Sequence, residues 1–317
     1  AGFINAMMRR FLRERGQITR DIADLQEDRP ALGQSHPDWL FEQWEARWGR
    51  EKTIRLMEWN NQPAPTCARV NPLLTDPESL AKRWDEEGVQ ATPIDCDWAK
   101  PDSLFRLRQH PPLESLGSFR DGLFYVQDPS TLLAVALLDP QPGQSMLDLC
   151  AAPGGKTCNI AGRMNNEGQL TALDISEPRL EMLRENCDRM HVTCATLGQA
   201  DTATTGGYDR VLVDVPCSNT GVMRRRLDLR WRLCPDETRL LTDEQLKLLG
   251  QAAARTKPDG QLIYSTCSLE PEENEQLVAR FLKANPEWQL AEERTLHPVE
   301  DHTDGAYAAR LTRTTNN

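Results

Sequence analysis

The sequence predicts an α/β fold, a doubly wound sheet preceded by a small α+β module. Three observations carry this. Short apolar runs alternate with segments of helical period from Phe119 to the C-terminus, the pattern of a sheet with helices on both faces. One run, with Met146, Leu147 and Leu149, stops at a turn of small residues, Cys150 to Gly155, before a segment that can be helical. Strand, glycine turn and helix form the ligand-binding corner of such sheets. Finally, acids stand where further runs end: Asp174, Asp201 and Asp214.

Composition sets the bounds. A chain of 317 residues with 39% hydrophobic content holds one large or two modest domains. No run approaches the ~18 apolar residues of a membrane helix, and no signal peptide opens the chain. Nine cysteines, an odd number without a C-x-x-C pair, point to reduced thiols in a cytoplasmic protein and away from a zinc site. The net charge of −11 argues against broad electrostatic binding of nucleic acid but leaves room for a local basic patch.

The opening AGFINAMMRRFLRER has Phe3, Ile4, Met7, Met8, Phe11 and Leu12 at helical spacing. Its arginines suit a solvated face or RNA. His36-Pro37 marks an entry, and Trp39, Leu40, Trp44, Trp48, Ile54 and Leu56 suggest two packed helices. TCARVNP reads as extended. Asp76 caps a helix to Glu87 with Pro77 in its first turn. Leu104 to Leu107 is a further short strand, and His110-Pro111-Pro112 ends this module. The expected domains are therefore 1–34, 35–115 and 116–317.

Phe119 to Val126 then reads as a strand, and Asp128 caps a helix carrying Leu132, Leu133, Val135 and Leu137. After the glycine turn come strands Gln169 to Ile175, Thr193 to Leu197 and YDRVLVDVPCS, with a helix after Asp174. Pro235 to Thr256 is a long helix, Lys257 to Gly260 a turn, and QLIYSTCS a fifth strand ending at Cys267. PEENEQLVARFLKANP is a helix with Pro271 in its first turn. Trp288 to Glu292 and Gly305 to Thr312 close the sheet as a strand pair.

The stretch Ser145 to Thr157 admits three readings. It can be an ordinary strand-to-helix turn. GGKT also ends like a P-loop, and VLVD resembles an NTPase strand, yet Cys150 occupies the first glycine position and Pro153 removes an amide donor. The third reading is a class I methyltransferase (Rossmann-like) site for S-adenosylmethionine. That cofactor carries no phosphates and needs acids for its ribose and amine. Asp174 suits the ribose or a helix cap, and Asp201 the adenine edge or a loop cap. Arg179 serves the ligand or a surface pair. Pro216-Cys217, one residue beyond Asp214, has no use in phosphate chemistry but can serve covalent attack on a pyrimidine. Arg224, Arg225, Arg226, Arg230 and Arg232 around Trp231 suit single-stranded nucleic acid or make a charged loop.

DLCAAPGGKT, ALD, QAD, DVPCSNTGVMRRR and YSTCS together resemble the RNA cytosine-5 methyltransferase family of the Sun/RsmB type, in order and spacing. The resemblance runs from Gly2 to near the C-terminus. GFINAMMRRF looks like the last helix of a NusB-like RNA-binding domain otherwise absent from this chain, and RVN with its following helix resembles the family's small RNA-binding module. DGAYAARL departs from the family's bulkier aromatic pair at Ala306, which bears on local packing.

The resemblance implies transfer of a methyl group from S-adenosylmethionine to carbon 5 of cytosine, in ribosomal RNA, by a cytoplasmic monomer without a metal. Cysteine addition at carbon 6 activates carbon 5. Cys217 and Cys267 both end strands, and spacing alone does not order them. The family implies Cys267 as nucleophile and Cys217 as the release cysteine. Asp214 and Lys156 share the catalytic pocket. Cys150, Ala151, Ala152, Pro153, Gly154, Gly155, Lys156, Asp174, Arg179, Asp201 and Asp214 are the expected cofactor residues, and Arg224, Arg225 and Arg226 the RNA residues. A P-loop-like NTPase and a catalytically silent RNA-binding scaffold are the alternatives.

Overall fold

The structure, a computed structural model, describes residues 2–101, 103–199 and 207–314, with the side chains of 235–239 left aside. The chain forms two compact units. One holds Ala1–Ala64 and Met223–Leu233, the other Pro65–Val222 and Cys234–Asn317.

In the first unit, α1 (Gly2–Asp28) is the expected amphipathic helix, yet none of its residues is buried. After the short α2 (Pro30–Gly33), α3 (Asp38–Trp48) and α4 (Arg50–Asn60) pack together through Leu40, Trp44, Leu56 and Met57. Trp44 is therefore a core residue. His36 is buried between Gln34 and Asn60. Burial, with Arg230 adding to it, lowers its imidazole to about 3 and keeps it neutral.

The second unit opens with a four-stranded antiparallel sheet ordered β2-β3-β1-β4: β1 is Thr66–Val70, β2 Gln90–Pro93, β3 Leu104–Gln109 and β4 Phe124–Val126. Helix α5 (Pro77–Glu87) crosses it. Asp76 accepts from the Ser79 amide at 2.9 Å, the expected cap. Its Trp84 stands edge-on to Phe105 and Phe124, both at 5.3 Å. β4 completes this sheet from beyond the expected boundary at 115, so packing follows other limits than the three expected domains. The strand expected over Phe119 to Val126 is shorter. A turn of helix, α6 (Gly117–Arg120), takes its start and leaves three residues to pair with β1.

Next come α7 (Leu133–Leu138), introduced by a 3-10 turn that Asp128 caps, and β5 (Ser145–Asp148), α8 (Gly155–Arg163), β6 (Gln169–Asp174), α9 (Glu177–Arg189), β7 (Ala195–Gln199) and β8 (Tyr208–Asp214). The one-turn α10 (Leu229–Arg232) belongs to the first unit. Returning, the chain forms α11 (Pro235–Arg255), β9 (Thr256–Thr266), α12 (Glu275–Ala284), β10 (Trp288–Leu296), α13 (Pro298–Asp301) and β11 (Ala306–Arg313). The seven-stranded sheet runs β10-β11-β9-β8-β5-β6-β7. β5 lies parallel to β6 and β8, β7 parallel to β6, and β9 parallel to β8, with β11 antiparallel to β9 and β10. This is the doubly wound class I methyltransferase architecture.

Its central strands are buried on both faces, as the inner strands of a parallel sheet must be. Leu147, Val211, Val213, Leu262 and Tyr264 face one layer; Met146, Leu212 and Ile263 face the other. Two local expectations fail. Lys257 to Gly260 lies within β9 rather than in a turn, its extra residues absorbed by a register shift against β8. Helix α12 begins at Glu275 instead of near Pro271, because Glu273 and Asn274 are buried and spend their side chains on the neighbouring loops.

Candidate active site

Parallel strands aim their carboxyl ends at one edge of the sheet, so the ends of β5, β6, β8 and β9 bring Asp148, Asp174, Asp214 and Cys267 to that edge. The turn Cys150 to Gly154 lies among them. Gly154 has φ +109°, a backbone conformation that strains any side chain, so the turn requires glycine there.

Asp174 is buried and accepts from the Ala152 amide at 3.3 Å and the Ser176 amide at 3.1 Å. Arg179 donates to the Ala152 carbonyl at 2.5 Å and lies 3.6 Å from Asp174. It therefore braces the turn against the acid. Ala151 and Ala152 are buried and Pro153 is exposed, while the half-buried Cys150 thiol is pushed up to about 12, first by burial. A thiol held there stays protonated and is no nucleophile. Asp201 lies outside the described residues.

Asp148, which the sequence reading passed over, is fully buried. One carboxyl oxygen accepts from Thr157 Oγ1 at 2.8 Å and the other has no partner among the described residues. Burial raises its carboxyl to about 7. Between roughly pH 4, the value of an unfolded carboxyl, and its native value of about 7, the folded chain holds a proton that the unfolded chain has lost. Stability therefore falls as pH rises through that window and levels off above it. Asp148→Asn is expected to flatten this slope and to stabilise the ligand-free protein by on the order of 3 kcal/mol at high pH. Urea unfolding across the window checks it; an unchanged slope would clear Asp148 of this role.

Lys156, at the start of α8, donates to Asp214 Oδ2 at 2.6 Å. Burial works against its charge, but Asp214 outweighs it, and Cys267 adds to the effect, so the ammonium is held above its ordinary value. The other Asp214 oxygen accepts from Ser265 Oγ at 2.7 Å.

The two strand-end cysteines meet. Cys217 Sγ and Cys267 Sγ are 3.3 Å apart. The hydrogen bond to Cys267, followed by burial, drives the Cys217 thiol well above the ordinary range. Cys217 thus keeps its proton. Asn219 bridges the loop: its Nδ2 donates to the Cys217 carbonyl at 2.5 Å, and its Oδ1 lies 3.2 Å from Cys267 Sγ. Behind the thiols, Glu273 is fully buried. It accepts from the Ser218 amide and Gln245 Nε2, both at 2.9 Å, and from the hydroxyls of Ser218 and Ser268. Neither Asn219 nor Glu273 was singled out in the sequence.

The arginine patch separates. Arg224 is buried with its guanidinium 4.5 Å from the centre of the Trp59 ring. Arg230 is also buried, donating to Asn61 Oδ1 at 2.6 Å and to the Asn60 carbonyl. Arg225, Arg226 and Arg232 are exposed. Arg224 is therefore a packing residue of the first unit, contrary to its expected place on an open RNA surface. Trp59 supplies a π face on which a planar guanidinium stacks.

A family model described as 16S rRNA methyltransferase RsmB/F matches residues 135–315, more than half of the chain. The chain belongs to the RsmB/F family. A second model, the ferredoxin-like domain of RsmF/B-like methyltransferases, matches residues 36–99. Among RsmB/F relatives, the "Probable ribosomal RNA small subunit methyltransferase B" of Bacillus subtilis is 31% identical over 295 residues, covering 91% of this chain and 65% of that protein. The ribosomal RNA small subunit methyltransferase B of Vibrio cholerae is 33% identical over 323 residues, covering 98% and 72%. A crystal structure of a methyltransferase homolog protein from Pyrococcus horikoshii aligns with a TM-score of 0.77 at 30% identity, covering 90% of this chain and 97% of that one. The chain thus spans about two thirds of the Bacillus relative's length. S-adenosylmethionine, the cofactor expected from the sequence, accords with membership of a methyltransferase family.

Proposed function

We propose that the protein transfers a methyl group from S-adenosylmethionine to carbon 5 of a cytosine in RNA, ribosomal RNA by its family, through a cysteine-linked intermediate. The observation that carries this is the Cys217–Cys267 pair, 3.3 Å apart beside an acid-lined glycine turn. The turn fits the cofactor: the buried Asp148 oxygen without a partner and the carboxylates of Asp174 and Asp214 suit a cationic, hydroxyl-bearing ligand. Cys150 to Lys156 with Asp174 would hold it, Arg179 bracing the turn. Bound there, S-adenosylmethionine supplies an electrophilic methyl group.

Cys267 acts as the nucleophile. Its thiolate adds to carbon 6 of the ring, and the displaced electron pair makes carbon 5 the site of methyl uptake. Loss of the carbon 5 proton to a base then lets the Cys267–carbon bond break and the ring regain aromaticity. Lys156, held charged at this edge, donates to Asp214. Cys217 keeps its proton and serves product release. Asp214, fixed by Lys156 and Ser265, faces the base edge or supplies the proton that addition requires. The cytosine must be unpaired or flipped out to reach the thiol. Exposed Arg225 and Arg226 are the members of the arginine patch suited to phosphates.

The P-loop alternative fares worse on chemistry. Asp174 takes the Ala152 amide, and Asp214 occupies the lysine a nucleotide would need. The test is capture on RNA containing 5-fluorocytosine with S-adenosylmethionine. Fluorine at carbon 5 blocks proton loss, so a protein–RNA species that survives a denaturing gel is expected. Its absence alongside normal methylation of unmodified RNA would overturn the covalent route.

A further inference from the structure

The second unit carries another cavity, of about 330 Å³, whose lining includes none of the residues assigned to methyl transfer. Arg69 of β1, Lys100, and Asn159 and Arg163 of α8 line it. Asn159 and Arg163 are four residues apart and so share one face of the helix. Asp76 is the lining carboxylate among the described residues, and it is occupied in capping α5 through the Ser79 amide and hydroxyl. The lining thus has a two-charge positive excess within a chain of net charge −11.

One of these groups is left short of a partner by the protein. Arg69 is 4% exposed; its Nε donates to Gln127, while its buried Nη2 has no acceptor among the described residues. Burial, with the charge of Arg163 adding to it, draws its guanidinium down to about 10. Asn159 is 6% exposed and lines the same cavity. A buried polar group without a partner is costly, and so is a pair of like charges facing one space. The like-charge repulsion falls if an anion enters. The remaining walls, Pro72, Pro77 and Pro101 among them, offer an apolar surface.

We propose that this cavity binds a phosphate ester of a nucleotide, its phosphate against Arg163, Lys100 and Asn159 and its sugar or base against the proline walls. The phosphate comes either from the RNA chain or from a free nucleotide. Charge-assisted hydrogen bonds to guanidinium make this anion the natural ligand. The site stands apart from the methyl-transfer reading and survives its failure.

The test compares the wild-type chain with Arg163→Glu/Lys100→Glu, and with Arg163→Gln/Lys100→Gln should charge reversal unfold the protein. Cytidine 5′-monophosphate, with cytidine as the phosphate-free control, is titrated by calorimetry, and the salt dependence of binding to a single-stranded RNA is measured in parallel. A free-nucleotide site predicts that cytidine monophosphate binds, that cytidine does not, and that the variant loses at least about tenfold in affinity. An RNA-backbone site predicts little binding of the monophosphate, with the RNA salt slope reduced by roughly 0.7 per lost contact. Nucleotide binding and RNA slope both unchanged by the variants would overturn the proposal, since any ligand then sits elsewhere.

Discussion

Cys267→Ala is expected to abolish methyl transfer and covalent capture of RNA together, whereas Cys217→Ala is expected to capture RNA without needing fluorocytosine. The two sulfurs are 3.3 Å apart, so loss of activity alone cannot separate them. If Cys217 serves release, its alanine variant still attacks through Cys267 and still transfers the methyl, but the product stays attached. The signature is a methylated protein–RNA species that builds up with S-adenosylmethionine on a denaturing gel. Removing the nucleophile of a covalent route typically costs several orders of magnitude in rate. The reverse outcome, with adduct accumulating in Cys267→Ala and absent from Cys217→Ala, would exchange the two roles. Neither variant trapping RNA while both stay active would dismiss the thiols.

The second large effect is expected at Glu273. Its carboxylate holds the residue after Cys217 and the residue after Cys267, so one buried group fixes the separation of both thiols. Glu273→Ala strips an amide, an amide NH2 and two hydroxyls of their acceptor, each worth about 1–3 kcal/mol when left buried. With thiol placement loosened by an ångström, a fall of about 10²-fold in the rate of adduct formation follows. Affinity for S-adenosylmethionine should hold, because the glycine turn and Asp174 make no hydrogen bond to Glu273. Glu273→Gln retains shape and one acceptor and should recover much of the loss. Quench-flow capture on 5-fluorocytosine RNA, paired with calorimetry of the cofactor, reads both. Equal loss in cofactor affinity and adduct rate would mean general collapse in place of a positioning role.

What could be read from the sequence was local. The strand through Leu147, the glycine turn and α8 announce themselves by apolar runs and small residues that are contiguous. The cysteines at strand ends were legible for the same reason, since parallel strands deliver their ends to one edge. Glu273 was not legible. It sits in a polar string that reads as a helix start, and the donors that draw it inward lie 55, 28 and 5 residues away. Arg224 failed similarly: only the fold discloses the Trp59 ring beneath it. At β4, three paired residues are too few to show a period, so the helical turn of α6 went unseen.

The excursion of residues 223–233 bears on how the gene can be cut. Between the two cysteines the chain leaves the second unit at Val222 and rejoins it at Cys234, so with the join at Ala64 the units share three peptide connections. A deletion ending at Ala64 would not excise a domain. It would strip Arg224 of Trp59 and Arg230 of Asn60 and Asn61, leaving an orphaned loop spliced into the segment that joins one catalytic strand to the next. The first unit is thus built from two separate stretches of the chain, and any shuffling of such modules must carry both pieces at once.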